Sequence, residues 1–151
     1  MPETPARPPS RPSVPASPAA REHCWLPCSE RSPALARRLL REFLLKVRGG
    51  ELFAENGALV VSELVTNALQ HGTRRGQLIK LGLEADGELL CVWVEDASDQ
   101  APQLCVATEG ERGRGLLLVD KLSQRWGWGA RDGIGKRVWS VIEPAPAGVR
   151  P

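Results

Sequence analysis

Three polar residues recur every four positions within the segment 61–72, namely Glu63, Asn67 and His71. On a helix this spacing places the three side chains along one stripe. Most positions between them are apolar, as expected of a helix that packs in a protein core. Because buried polar groups without partners are costly, the stripe indicates a cleft that holds a charged ligand. There a carboxylate could accept a proton from a nucleophile. A solvent-facing pair of Glu63 and Asn67 is the alternative interpretation.

Two further segments place polar or flexible residues next to predicted elements. Asp96 follows the apolar run 89–94, which predicts a central strand. Gly113 and Gly115 precede an apolar helical pattern that begins at Leu116. A helix N-terminus offers free N–H groups and the positive end of its dipole to an anion. The alternatives are that Asp96 only forms a turn and that the glycines only make a flexible link.

The segment 61–72 resembles the N box of the GHKL (Bergerat-fold) ATPase superfamily. This superfamily includes histidine kinases, Hsp90-like and gyrase-like ATPases, and the serine-kinase anti-sigma factors. The segments 94–98 and 111–116 match two further motifs of the superfamily in the same order. The resemblance covers residues 25–142 and is closest to small stand-alone ATP-binding regulators of actinobacteria that are related to anti-sigma factor kinases.

The resemblance implies ATP and Mg²⁺ as cofactors and gives individual residues their roles. Asn67 would hold Mg²⁺ through its carboxamide oxygen. Glu63 would be the catalytic residue, as a base or as the group that orients the attacking water or hydroxyl. Asp96 would accept a hydrogen bond from the adenine amino group, which distinguishes adenine from guanine. The residues expected to contact the nucleotide are Asn67, His71, Asp96, Ser98, Arg112, Gly113, Arg114, Gly115 and Leu116.

The chain departs from the family pattern at several of these positions. The usual family pattern at this aspartate is Asp-x-Gly-x-Gly. In this chain the pattern begins at Asp96, and Ser98 and Gln100 stand at the two glycine positions. The family often has Gly-Thr near the adenine, where this chain has Gly135 and Lys136. The sequence does not decide whether Lys136 contacts phosphate or lies at the sheet edge. It also leaves open whether His71 contacts phosphate, caps the helix or is a satisfied structural histidine.

The hydrophobic patterns predict the element order β-α-α-β-β-α-β-β. This order suits an α+β fold, a two-layer sandwich whose mixed, mostly antiparallel sheet carries helices on one face. Residues 1–22 are rich in proline and predict a disordered tail, residues 23–143 the ATP-binding domain, and residues 144–151 a flexible end. Ser32 is expected to cap the first helix ahead of Pro33. The last helix is expected to run from Gly115 to Trp126, with Leu117 and Trp126 facing the core.

Bulk composition narrows the class of protein. Residues 23–143 hold sixteen basic and sixteen acidic residues, which argues against a broad surface for nucleic acid. No apolar run is long enough to cross a membrane, and the N-terminus lacks a secretory apolar core. We therefore expect a cytoplasmic protein with no membrane partner. The four cysteines are interpreted as free thiols, in preference to a zinc site.

These features support a first hypothesis and an alternative. The first is an ATP-binding regulator that binds Mg·ATP and phosphorylates or sequesters a protein partner, either a sigma factor or an anti-sigma antagonist-like protein. Whether the chain is an enzyme, as a protein serine/threonine kinase, is left open. The alternative is a non-catalytic module in which ATP or ADP holds the fold for partner binding. A homodimer through the first strand and helix is compatible with the sequence but is not demanded by it.

Overall fold

The computed structural model describes residues 20–98, 100–102 and 115–146. Within these residues, five strands form one antiparallel sheet and three α-helices pack against it. The predicted element order and the two-layer α+β architecture are confirmed, although every strand pair is antiparallel. In chain order the elements are β1 (Ala20–Pro27), α1 (Ser32–Leu44), α2 (Ala54–Asn67), β2 (Leu78–Ala85), β3 (Leu90–Asp96), α3 (Gly115–Leu122), β4 (Arg125–Ala130) and β5 (Lys136–Ile142).

The strands lie in the order β1-β2-β3-β5-β4, so β3 is the central strand. All seven of its residues are buried, as its continuous apolar pattern predicts. Because side chains alternate between the two faces of a strand, Val92, Val94 and Asp96 point to the face covered by the helices, which we call the inner face. Trp93 and Glu95 point to the opposite, outer face. The main core lies between the inner face and the helices.

Helix α2 lies between α1 and α3 and contacts β3. At Gly57 an added Cβ would press on Leu40 of α1 and Leu90 of β3, so this glycine allows the helix to approach both. After Asn67 the chain widens into a π-helical turn, Ala68–Gly72. Turns of this kind inside helices are rare and are often found at functional sites.

The outer face carries a second, smaller apolar cluster that includes Trp93 and Trp139. Cations lie over these rings, with the Arg137 guanidinium 4.3 Å from the Trp93 ring centroid and the Arg125 guanidinium 5.7 Å from that of Trp139. Gly82 makes room for Trp93, since a Cβ there would overlap the indole. The outer face is therefore closed by aromatic rings and the side chains above them.

Some predicted boundaries were wrong. Strand β1 begins at Ala20, inside the predicted tail, because Ala20 pairs with Ala85 of β2. Arg31 occupies the N-cap of α1, and the buried Ser32 hydroxyl instead donates to the Pro27 carbonyl at 2.6 Å. Helix α3 ends at Leu122. Leu117 is 42% exposed, since it faces away from the core.

Trp126 does reach the core, but from β4. Its indole N–H donates to Asp120 at 2.8 Å, which ties this strand back to α3. None of the described helices is both long and apolar enough to cross a membrane. Residues 1–19 and 147–151, which include most of the two predicted tails, lie outside the described residues.

Candidate nucleotide site

The polar stripe of α2 provides the first part of the site. Glu63 and Asn67 are both half-buried and lie one helical turn apart. Burial raises the pKa of Glu63 above its ordinary value, because a low-polarity environment disfavours the charged carboxylate. The helix therefore holds a carboxyl group that binds its proton more tightly than a solvated one would, next to a carboxamide that can bind a cation.

The π-helical turn brings His71 and Gly72 towards the end of β3. His71 is exposed, and its pKa is lowered, first by desolvation and then by the nearby charge of Lys136. The lowered pKa favours the neutral form of the imidazole. Gly72 is buried against Asp96, and a Cβ at this position would overlap the Asp96 carboxylate. Only glycine fits here without displacing that carboxylate.

Asp96 is bound by Lys136 across the inner face of the sheet. The Lys136 Nζ atom donates to Asp96 Oδ1 at 3.0 Å and to Oδ2 at 2.8 Å. The side chains of Lys136 and Asp96 are 1% and 2% exposed, respectively. The Ser98 N–H also donates to Oδ1 at 2.9 Å. Desolvation raises the pKa of Asp96, and the hydrogen bonds from Lys136 and Ser98 oppose that rise.

The turn between β4 and β5 closes the site from the other side. Gly135 has a φ of 128°, which side-chain-bearing residues rarely adopt. A Cβ on Gly135 would overlap the Asp96 carbonyl oxygen. In the same turn the Arg131 side chain donates to the Ile134 carbonyl at 2.7 Å. The backbone on both sides of Asp96 is thus packed so tightly that the sequence needs glycine at two positions, Gly72 and Gly135.

The predicted phosphate segment is described only in part. Gly115 begins α3, and Leu116 is 2% exposed and packs in the main core. Leu116 could therefore meet a phosphate only through its backbone N–H. Arg112, Gly113 and Arg114 lie outside the described residues. Helix α3 packs against α2, so its N-terminus and the polar stripe belong to the same layer of the fold.

The residues at the phosphate end fit Mg·ATP by their chemistry. Mg²⁺ prefers oxygen ligands and usually takes few from protein, with the remainder from water and phosphate. Asn67 supplies such an oxygen. After the π-helical turn, the buried hydroxyl of Thr73 has no hydrogen-bond partner among the described residues, although buried polar groups are normally paired. An unpaired hydroxyl one residue after Gly72, which packs on Asp96, is consistent with a polar ligand beside the π-helical turn.

The end of the site predicted to hold the adenine fits a nucleotide less well than the phosphate end does in the arrangement observed. The Asp96 carboxylate is the right kind of acceptor for an exocyclic amino group, but Lys136 already holds both of its oxygens. The carboxylate is also almost without exposed surface. As it stands, the acceptor predicted for adenine is engaged by the chain itself.

Sequence reasoning did not anticipate the roles of Lys136 and Gly72. Neither alternative considered for Lys136, phosphate contact or the sheet edge, describes its buried ion pair. Asp96 and Lys136 are the last residue of β3 and the first of β5, and they are direct register partners. The one usable signal was the pair of opposite charges at the ends of two predicted apolar strands. Gly72 ends the π-helical turn and also packs against Asp96.

Comparison with known proteins identifies the family. Residues 26–141 match the family described as Histidine kinase-like ATPase domain. No curated protein matches the sequence. Among solved structures, the chain is similar to the RsbU and RsbW domains of Rv1364c from Mycobacterium tuberculosis, with a TM-score of 0.59 and 19% sequence identity. The match covers 89% of this chain but 36% of that one, so the likeness shows a shared fold. The chain belongs to the histidine kinase-like ATPase domain family and has the GHKL fold. Membership of this family implies binding of ATP.

Proposed function

We propose that this chain is an ATP-binding regulator of the anti-sigma-kinase type, which binds Mg·ATP and transfers phosphate to a serine or threonine of a protein partner. One observation carries the proposal. Glu63, a half-buried carboxyl group with a raised pKa, lies one turn before Asn67 on the helix that ends against Asp96. The proposed general base and the proposed cation ligand therefore lie on one helix. The turn that follows this helix contacts Asp96, the predicted acceptor for adenine.

Each residue has a defined task in this proposal. Asn67 would bind the Mg²⁺ that neutralises the phosphates. Glu63 would take the proton of the attacking hydroxyl, and its raised pKa brings it closer to neutral pH, where a general base is most effective. The N-terminal end of α3, with Arg112 to Arg114 before it, would receive the phosphates. Asp96 would contact the adenine amino group.

The site residues give the proposal a direct test. Calorimetric titration with ATP, with and without Mg²⁺, should show binding by the wild type that depends on Mg²⁺. Asn67→Ala should remove most of that dependence while leaving the fold intact by circular dichroism. Gln70→Ala, an exposed change three residues further on in the π-helical turn, is the matched control and should bind as the wild type does. A folded wild type that binds no adenine nucleotide would rule out the proposal.

A non-catalytic nucleotide-binding module is the second candidate. It is favoured by the ion pair that engages Asp96 and by the absence of the glycines that usually follow this aspartate. In that case ATP or ADP would stabilise one state of the chain, and a sigma factor or an antagonist-like protein would bind that state without being phosphorylated.

Phosphate transfer separates the two candidates. With radiolabelled ATP and a candidate partner, Glu63→Gln should lower the transfer rate by about 10²–10⁴-fold, which is the usual contribution of a general base. ATP affinity should stay near the wild-type value because Gln keeps the shape of the side chain. Glu55→Gln, at an exposed position on the same helix, should change neither quantity. Nucleotide binding without transfer to any partner would favour the module.

A further inference from the structure

The buried ion pair between Lys136 and Asp96 bears directly on how the site admits a nucleotide. We infer that docking of the adenine and formation of the Lys136–Asp96 pair exclude one another, so that Lys136 is a specificity-determining residue that limits the contribution of the base to affinity. The inference rests on the proposed function, in which Asp96 is the base acceptor. It concerns a residue, Lys136, that the proposed function does not use.

The hydrogen bonds at Asp96 show why the two states compete. A carboxylate has about four directions in which it can accept a hydrogen bond. Oδ1 accepts from Lys136 Nζ and from the Ser98 N–H, Oδ2 accepts from Lys136 Nζ, and Gly72 packs closely against Oδ2. Of these neighbours, Ser98 and Gly72 contribute backbone. Lys136 is the neighbour that a rotation about side-chain bonds can remove.

The backbone around the pair leaves little room for any other adjustment. Asp96 and Lys136 are fixed opposite each other by the β3–β5 register. Gly135 packs so closely on the Asp96 carbonyl that a Cβ would not fit. Neither strand β5 nor the π-helical turn at Gly72 can therefore move closer to Asp96. The adenine can reach the Asp96 carboxylate only if the Lys136 side chain moves away from that carboxylate.

The energetics favour the ion pair over a single contact from a base. Two charge-assisted hydrogen bonds from one ammonium are strong in a low-polarity environment. An adenine amino group would return one hydrogen bond. Removal of one partner from a buried pair also leaves the other charge without compensation, which is costly. In the wild type, adenine should therefore add little affinity beyond that of the phosphates.

Calorimetry with two probes tests this inference, using Mg·ATP and the Mg complex of inorganic triphosphate. The wild type should bind the two with affinities within about threefold of each other. Lys136→Thr should bind Mg·ATP about tenfold more tightly than the wild type, as one regained hydrogen bond to a charged acceptor implies. Its affinity for triphosphate should not change, and its preference for ATP over GTP should increase.

Arg137→Thr is the matched control. Arg137 is the next residue of β5 and pairs with Glu95, the residue before Asp96, on the outer face. Its substitution also removes a cation and breaks an ion pair between the same two strands. It should leave both affinities at their wild-type values. An equal gain in ATP affinity for Arg137→Thr and Lys136→Thr would overturn the inference, because the gain would then reflect a loosened sheet.

The outcomes separate the inference from the proposed function. If the wild type binds Mg·ATP and Lys136→Thr binds it equally or less tightly, the inference is wrong while the nucleotide site stands. If a folded wild type and Lys136→Thr bind neither ATP nor triphosphate, the proposed function fails and the inference fails with it. Near-ultraviolet circular dichroism of the five tryptophans reports whether each variant is folded.

A measurement on the wild type keeps the inference testable if Lys136→Thr does not fold. The ammonium of a buried, paired lysine exchanges its protons slowly and can be observed by nitrogen-15 NMR. Without nucleotide, one protected lysine ammonium signal, assigned to Lys136 through the conservative variant Lys136→Arg, should be present. Saturating Mg·ATP should remove or strongly shift this signal, whereas triphosphate should leave it in place. A signal unaffected by bound ATP would contradict the inference.

Discussion

Two ion pairs join the same two strands one residue apart, and they face opposite sides of the sheet. On the inner face Asp96 pairs with Lys136, and on the outer face Glu95 pairs with Arg137. The inner side chains are at most 2% exposed, whereas those of the outer pair are 9% and 14% exposed. Pairs of similar chemistry in nearly the same place therefore differ mainly in their surroundings.

The surroundings give the two pairs different consequences. Arg137 is stacked over the Trp93 ring, so it keeps a favourable cation–π contact and some access to water. Lys136 is buried together with the Asp96 carboxylate, which packs against Gly72 of the π-helical turn that follows α2. A sealed ion pair gains little net stability but costs much when broken. The inner pair is consequently suited to compete with a ligand for Asp96. The outer pair is suited to stabilise the pairing of β3 with β5.

The largest expected difference is in stability. Asp96→Ala leaves the buried Lys136 ammonium unpaired and should lower the free energy of unfolding by about 3–5 kcal/mol. Glu95→Ala leaves Arg137 over an aromatic ring with some solvent access, and should cost about 1 kcal/mol or less. Urea denaturation followed by tryptophan fluorescence measures both. Equal losses would mean that the two pairs do not differ in the way that their burial indicates.

The glycines on the two faces provide a second comparison. Gly72→Ala presses on the Asp96 carboxylate and Gly82→Ala presses on the Trp93 indole, so each should destabilise the protein by about 1–3 kcal/mol through overpacking. Only Gly72→Ala should also alter Mg·ATP affinity, because only it disturbs the Lys136–Asp96 pair that opposes docking of the adenine. Calorimetry on both variants decides this, and an altered affinity in Gly82→Ala would argue against a site confined to the inner face.

A third, smaller effect concerns the pH dependence of stability. Burial raises the pKa of Glu63, so the folded protein holds that proton more tightly than the unfolded chain does. Stability is therefore lost as pH rises from the ordinary value of 4.5 through the raised pKa. Glu63→Gln removes this loss and should be more stable than the wild type at pH 7, by less than about 1 kcal/mol.

Denaturation curves between pH 4 and pH 8 test this prediction for the helix stripe. The wild type and Glu63→Gln should converge at the acid end and separate as the pH rises. Glu55→Gln, on the exposed side of α2, serves as the control for a change of charge without burial. If Glu63→Gln were less stable than the wild type at pH 7, the carboxylate would be stabilised by a partner, and its proposed role as a base would need revision.

The smallest effect is on the titration of His71. The charge of Lys136 contributes, after desolvation, to the lowered pKa of this histidine. Lys136→Thr should therefore raise the pKa of His71 towards its ordinary value, and Arg137→Thr should leave it unchanged. NMR titration of the ring protons measures this, with His23 as the internal reference. An unchanged His71 in Lys136→Thr would show that desolvation alone sets its pKa.

Much of the fold could be predicted because its signals are local. The four-residue spacing of Glu63, Asn67 and His71 predicted helix α2, and the apolar run before Asp96 predicted the central strand, both of which are confirmed. Boundaries were less certain where a long-range partner decides them. Ala20 is in a strand because Ala85 lies opposite it. The residues near Ala20 in the sequence do not predict this pairing.

The family was also within reach of the sequence, since three motifs in order are a local signal and residues 26–141 do match the histidine kinase-like ATPase domain. The individual roles of the site residues stay predictions. Sequence reasoning placed Ser32 as a helix cap and Leu117 in the core, and both assignments were wrong. In each case a tertiary contact or the helix rotation, which the local pattern leaves free, determined the outcome.

The sequence by itself determined the element order, the polar stripe on α2 and the family, because periodicity and motif spacing act over a few neighbouring residues. Only the tertiary structure decided that Lys136 meets Asp96, that Gly72 packs on the same carboxylate and that Glu95 and Arg137 form their pair on the opposite face. The physical reason is register. Residues forty positions apart face each other only once β3 and β5 have paired, and a shift of one residue would exchange the inner and outer faces.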